Sequence, residues 1–346
     1  MKSPKFFSRT PKEALGPSGV VTPHSGLINL GNTCYFNATI QALSHLPTLS
    51  WDLLCALKTP PLGAFDSLTT RTTNKALASF APGSYFKTSK DPMNIRLYSF
   101  MKTLQNTRHG KIDPSDLYYT FLSQFTLFLH GEQQDAHEMF ILLISFMIEQ
   151  ETIESFSHYS FNGKLRLNAE CASCKLSSDN PQHFTALTVN MSNSVQESVN
   201  EYLSQKTSVI DGDYRCERCG STSSAVYNMR ITMWPPIMCV HLNRAMLKKR
   251  LIVTGVKATK NTSDIEIEDI ITVSGRTYYL MSTIHHVGSS MNSGHYYAYG
   301  NTCEGWRCYN DEIVKVSTPM KDPGTVYMLF YVRHDIYDNL VKTLKK

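Results

Sequence analysis

The chain has no N-terminal apolar stretch of the kind removed from secreted proteins, and its densest apolar run, MFILLISFMI, falls short of the roughly twenty residues that a membrane crossing needs. Its nine cysteines are an odd number and do not form the even, close-spaced set of a disulfide framework. A reducing compartment, cytoplasm or nucleus, is therefore expected, and no membrane partner. Charge of one sign is scarce too: 34 basic against 29 acidic residues leave a net +5. The basic residues are scattered, apart from small clusters at Lys248, Lys249 and Arg250 and at Lys345 and Lys346. No basic face interleaved with aromatics and no nucleic-acid-binding module is present, so nucleic acid is not an expected partner. Internal repeats, heptads and low-complexity insertions are also missing, and a monomer is the expected state. Residues 1–25, basic and proline-containing, read as a flexible leader, and 336–346 as a tail. The leader's prolines and Glu13 weigh against a mitochondrial presequence.

What is present suffices for a sizeable core, with 42% hydrophobic residues in 346. Helical periodicity dominates the first part. It predicts a helix from Tyr35 to Leu46 capped by Thr33 or Asn32, a second from Ser115 to Phe128 after Asp113 and Pro114, and a largely buried third from about Glu132 to Glu149. From Ser160 onward the alternation is strand-like, as in Ile237, Cys239 and His241 against Met238, Val240 and Leu242. Helices followed by strands predict an α+β fold with a cleft between the two parts.

Cys34 lies at the predicted start of the first helix, after the loop Gly31, Asn32, Thr33. A thiol attacks only as thiolate, and a helix N-terminus favours that anion. Local sequence alone fits a buried core cysteine equally well. About 260 residues later His295 follows Gly294 at the head of an alternating strand, and Asn310 and Asp311 come fifteen residues further on, within reach of a hairpin. Either side chain suits the group that holds an imidazole in the tautomer needed to accept a thiol proton, and either suits a turn.

Between these segments stand Cys171 and Cys174 in CASC and Cys216 and Cys219 in CERC. Two such knuckles together make a closed four-thiolate set, suited to a structural Zn2+ with no position open for chemistry. The forty-one residues between the two pairs require that the metal join two hairpins distant in sequence. Cys55, Cys239, Cys303 and Cys308 are left as free thiols.

Three stretches together resemble the ubiquitin-specific proteases: GLINLGNTCYFNATIQAL their cysteine box, GEQQDAHEMF their glutamine-rich box, and HHVGSSMNSGHYYAY with WRCYNDEIV their histidine box, in the family's order. VYMLFYVR resembles the last strand of that domain. The resemblance implies a papain-like core in one catalytic domain over 26–335, with a helical thumb (about 26–150), zinc-bearing fingers (about 160–235) and a sheet-built palm (about 236–335). It also implies a deubiquitinating thiol hydrolase that cuts after the C-terminal glycine of ubiquitin, with ubiquitin and ubiquitinated proteins as partners.

Position by position, Cys34 matches the nucleophile, His295 the general base, Asn310 its orienter, Asp311 an acid able to share that role, and Asn29 the oxyanion donor. Gln134 and Asp135 match residues lining the channel for the substrate's tail, and Tyr296 is expected as a wall of that channel. His137, in the same box, is a rival base by type, but a structural role fits it better. Departures are Phe36, Ala38 and Met139, read as packing substitutions, HLNRAM for HLKRF, and a short 251–276 segment without the usual Phe-Pro step. An inactive ubiquitin-binding protein, a protease for a ubiquitin-like modifier and a papain-like peptidase are the alternative readings.

Overall fold

A computed structural model describes residues 24–46, 93–107, 109–150, 160–204, 206–249, 256–290, 293–302, 304–317 and 322–338. Residues 1–23, the 339–346 end of the tail, Cys55 and Cys303 lie outside the described residues.

The first helix, α1 (Cys34–Ser44), is buried along its whole length. Its apolar side chains alone would not demand that, so its polar ones must find partners inside. Gln41 Nε2 donates to the Ser25 carbonyl at 2.9 Å, Thr39 Oγ1 to the Tyr35 carbonyl at 2.8 Å and Ser44 Oγ to the Gln41 carbonyl at 2.7 Å. Around α1 stand α2 (Met93–Asn106), α3 (Ser115–Gln124) and α4 (Ala136–Gln150). Phe36 packs between Tyr118 and Phe121 of α3, with ring centroids 5.2 and 5.8 Å away. Phe36, Ala38 and Met139 are all buried, as packing substitutions should be.

The helices cover one face of an eight-stranded sheet in the order β15-β14-β13-β12-β16-β8-β5, with β11 also paired to β12. These strands are β5 (Ala186–Asn190), β8 (Ile237–Asn243), β11 (Ile270–Val273), β12 (Arg276–Val287), β13 (His295–Thr302), β14 (Gly305–Asn310), β15 (Ile313–Val316) and β16 (Val326–Arg333). All pairs are antiparallel except β5 with β8. The alternation in β8 divides its side chains between two cores. Ile237 and Cys239 join the helices on one face. Met238, Val240 and Leu242 meet Trp234, β11 and the helix α5 (Val195–Ser204) on the other. With both faces covered, the strand is apolar without a break from Ile237 to Val240.

Beyond this body stands a four-stranded antiparallel sheet, β4-β3-β7-β6, from β3 (Gly163–Cys171), β4 (Ser177–Phe184), β6 (Lys206–Arg215) and β7 (Thr222–Met233). The order of helices and then sheet is the α+β arrangement expected.

Element limits differ from the sequence reading for local reasons. The helix expected from Glu132 begins at Ala136, because Asp135 Oδ1 accepts from the His137 and Glu138 amides at 2.6 and 3.1 Å and so caps it. The helix expected to reach Phe128 ends at Gln124. Thr33 takes the N-cap position of α1, its carbonyl accepting from the Asn37 amide at 2.9 Å, but no side chain caps the helix: the Thr33 hydroxyl accepts from the Leu30 amide at 2.9 Å, and the Asn32 side-chain amide donates to the Gly131 carbonyl at 2.7 Å. In the strand-like half α5 was missed, although Ser194 and Glu197 form the Ser-x-x-Glu pattern of a capping box, with Glu197 N donating to Ser194 Oγ at 3.1 Å.

Candidate active site

Cys34 is the first residue of α1 and 5% exposed. The helix presses closely on β13: a Cβ at Gly300 would come within 2.3 Å of the His45 ring at the end of α1, so only glycine permits the approach. That contact places the head of β13, His295, beside the head of α1. The His295 imidazole stands beside the Cys34 thiol, near enough to feel it electrostatically, and its Nε2 lies 2.6 Å from Asn310 Oδ1 at the end of β14. Since the amide oxygen accepts, Nε2 donates, and Nδ1 is left to take the thiol's proton. The neighbouring Cys34 thiol is the largest influence raising the imidazole from 6.5 to about 9; burial opposes it, and the Asn310 bond and the Asp311 charge add to it.

Asp311 turns away from the ring. It occupies a left-handed conformation at φ 47°, and its carboxylate accepts from Asn37 Nδ2 and Asn29 Nδ2, both at 2.8 Å. Asn29 is thereby held from both ends, its Oδ1 accepting from the Gly31 amide at 2.9 Å and the Thr33 amide at 3.3 Å. An amide nitrogen carries two hydrogens. Asp311 takes one and leaves the other in the loop just before Cys34.

Gln134 is half-buried immediately before α4. Asp135, besides capping α4, accepts from Tyr327 Oη at 2.7 Å through Oδ2, so both of its oxygens are engaged within the protein. Tyr296 does not form an open wall. The pleat turns it away from its neighbour His295 into the core, 5% exposed, with its ring stacked on His286 at 4.4 Å. His137 stacks on His241 at 3.8 Å, and burial pushes both imidazoles below their ordinary value, His241 to about 3. Gln133 escaped the sequence reading: its Oε1 accepts from the Gly294 amide at 3.0 Å, tying the glutamine-rich segment to the residue before His295.

The four knuckle cysteines meet at the tip of the outer sheet, all their Sγ atoms within 4.8 Å of one another. Cys174 and Cys216 are 3.6 Å apart, Cys171 and Cys219 4.0 Å. Sulfurs bound tetrahedrally to one zinc ion stand roughly 3.8 Å apart. The two turns share one geometry. Lys175 N donates to the Cys171 carbonyl and Gly220 N to the Cys216 carbonyl, and each of these donor residues is left-handed, φ 57° and 66°. Spacing, donor type and turn shape all fit a metal ion.

A cysteine at a helix N-terminus beside an imidazole and an amide carried by a sheet is the arrangement of the papain-like thiol hydrolases. The chain belongs to the ubiquitin carboxyl-terminal hydrolase family, whose model matches residues 25–331. Among relatives it is 29% identical over 338 residues to ubiquitin carboxyl-terminal hydrolase 36 of Drosophila ananassae, and 28% over 311 residues to that of Drosophila melanogaster. These alignments take in 89% and 81% of this chain but only 28% and 27% of the relatives, so it spans under a third of their length. Its fold matches the SAGA DUB module of Ubp8, Sgf11, Sus1 and Sgf73 bound to monoubiquitin, with TM-score 0.67 and 20% identity over 95% of this chain and 72% of that one. The same module bound to ubiquitin aldehyde matches with TM-score 0.66, also at 20% identity, over 95% and 74%. Among the described residues no helix is long and apolar enough to cross a membrane.

Proposed function

We propose that this domain is a deubiquitinating thiol hydrolase, cutting isopeptide or peptide bonds after the C-terminal glycine of ubiquitin. The observation that carries the reading is the convergence of Cys34, His295 and Asn310, the imidazole beside the thiol on one side and bonded to the Asn310 amide oxygen on the other. Cys34 attacks the glycine carbonyl as His295 takes its proton, and the oxyanion accepts from the second N–H of Asn29 and from backbone amides. His295 then gives the proton to the leaving lysine amine, and water, deprotonated by the same ring, hydrolyses the thioester. Asn310 orients the base, while Asp311 acts one step removed, by holding Asn29. Gln134, half-buried and with no bond to Tyr327 of the kind that engages Asp135, is the member of its pair we assign to the substrate's tail; Asp135 serves by fixing α4 to Tyr327.

The outer sheet carries Zn2+ on Cys171, Cys174, Cys216 and Cys219, which would hold its tip in shape and supply no catalytic chemistry. The domain divides into a thumb over about 26–150, fingers over about 160–235 and a palm over about 236–335, in keeping with the helices, the outer sheet and the main sheet. Ubiquitin as partner is supported by the relatives' names and by the bound monoubiquitin of the structural neighbour. The free thiols suit cytoplasm or nucleus, and a monomer is the working state.

Hydrolysis of ubiquitin bearing a C-terminal fluorogenic amide tests the reading. Turnover of it should be abolished by Cys34→Ala, and a short peptide amide should be cut far more slowly. Equal rates on both would make the domain a general peptidase, and preference for another modifier would move the substrate assignment.

A further inference from the structure

Lys260 ends the strand β10 (Val256–Lys260) and is 8% exposed. Its Nζ donates to the His286 carbonyl at 2.6 Å and the Gly288 carbonyl at 3.2 Å, and lies 3.1 Å from His286 Nδ1. Three acceptors match the three hydrogens of an ammonium, yet none is an acid. A buried cation held by neutral acceptors alone is costly, and burial first, then the nearby Arg244 charge, pull this lysine down to about 8. Such an arrangement persists where the surroundings fix it.

The surroundings do so. Arg244, with no exposed surface, donates through Nη1 to the Asn261 and Ser263 carbonyls at 3.0 and 3.1 Å, through Nε to Val326 at 2.6 Å and through Nη2 to Pro323 at 2.8 Å. The chain directly after Lys260 is thus pinned to the β16 side of the sheet. On the far side of Lys260, the ammonium makes His286 Nδ1 an acceptor, and the ring proton belongs on Nε2. Burial, and then Lys260, keep this imidazole neutral, near 4. The ring stacks on Tyr296, and its Nε2 lies directly beneath Gly294: a Cβ there would stand 2.3 Å from Nε2 and 2.3 Å from the Val287 carbonyl. Gly294 immediately precedes His295.

We propose that Lys260 is a positioning residue for the hydrolysis: by holding His286 and Gly288 it fixes the ring on which Gly294 rests, and thereby sets His295 against Cys34 and Asn310. The inference rests on His295 being the base. It assigns a purpose to a lysine outside the cysteine, glutamine and histidine segments, in the short 251–276 stretch that lacks the Phe-Pro step.

The test uses Lys260→Met with two readouts. On ubiquitin fluorogenic amide, kcat should fall about tenfold to a hundredfold while KM stays within about twofold, because a base displaced by an ångström loses the reaction before it loses the substrate. In alkylation of Cys34 by iodoacetamide, the upper inflection of the pH profile, which follows His295, should move from about 9 toward lower pH as the ring moves away from Cys34 and Asn310. Where Lys260→Met does not fold, Lys260→Arg, a cation of different reach, should shift the inflection in the same direction. A folded variant that melts earlier yet keeps the wild-type inflection and kcat would overturn the proposal, since simple packing predicts that result. Alkylation needs no ubiquitin, so a shifted inflection with no turnover of ubiquitin by the wild type would leave the positioning intact and count against the substrate assignment alone.

Discussion

Asn310 and Asp311 are adjacent in sequence and do different work. The left-handed turn at Asp311 sends its carboxylate to Asn29 and Asn37, while Asn310, still within β14, meets the imidazole. The two replacements should therefore fail differently. Asn310→Ala lowers the pKa of His295, because the bond it removes is one of those raising it, so the alkaline limb of activity should move below about 9. Asp311→Ala should instead free the Asn29 amide and lower kcat by about a hundredfold, the typical cost of losing an oxyanion donor, with a smaller movement of that limb. A pH series of kcat for both variants separates the two roles. The same raised value bears on stability. A group whose folded pKa exceeds the unfolded 6.5 stabilises the fold fully below 6.5 and loses that contribution as pH rises through about 9. Melting followed between pH 6 and 10 should show a loss across that window that is smaller in Cys34→Ala, where the principal influence is gone and Asn310 and Asp311 remain.

Residue types and motif order made Cys34 and His295 legible before any coordinates. The choice between Asn310 and Asp311 was not, because it depends on one backbone dihedral that either residue tolerates. Tyr296 was misjudged for a related reason: adjacency to His295 suggested the cleft, whereas strand alternation turns the neighbour inward. Lys260, His286 and Gln133 stayed hidden since each acts on Gly294 or its loop, and a contact that carries no chemistry of its own leaves no motif.

At the scale of elements, the helix ends and the knuckles carry most of the argument. Asp135 spends one oxygen on the α4 amides and the other on Tyr327. Loss of a capping side chain typically costs about 1 kcal/mol, so Asp135→Ala should lower the melting temperature by about 2 °C through the cap, with the lost Tyr327 bond adding to it. Its signal, Asp-x-x-Glu before an apolar run, stood in the sequence at Asp135 and Glu138, and the helix start at Glu132 had passed over it. The twin turns at Cys171 and Cys216 bring four sulfurs to the separation a single ion needs. Cys216→Ser should reduce bound zinc, read by metal analysis of the purified protein, and destabilise the outer sheet with it. A chelator should reproduce the loss in wild type while leaving the Cys34 and His295 geometry in place. Full metal content in Cys216→Ser would remove that cysteine from the site.

Over the whole molecule, segments separated by hundreds of residues converge because α1 is buried on every side, between the other helices and the face of the main sheet. That burial explains why helical and strand periodicity revealed the α+β plan, while the cleft itself, made of residues at the ends of elements, was carried by motif order. On the proposed function it also ties activity to the integrity of one core: Cys34 heads the innermost helix, and His295 heads the strand against which that helix packs. Capture by ubiquitin carrying a C-terminal electrophile tests this convergence most directly. Intact mass and peptide mapping should find one adduct, through Cys34, in wild type and none in Cys34→Ala, with His295→Ala strongly slowed. Attachment at another cysteine, or none in a wild-type protein that still binds ubiquitin, would contradict a live thiol hydrolase built on these three residues.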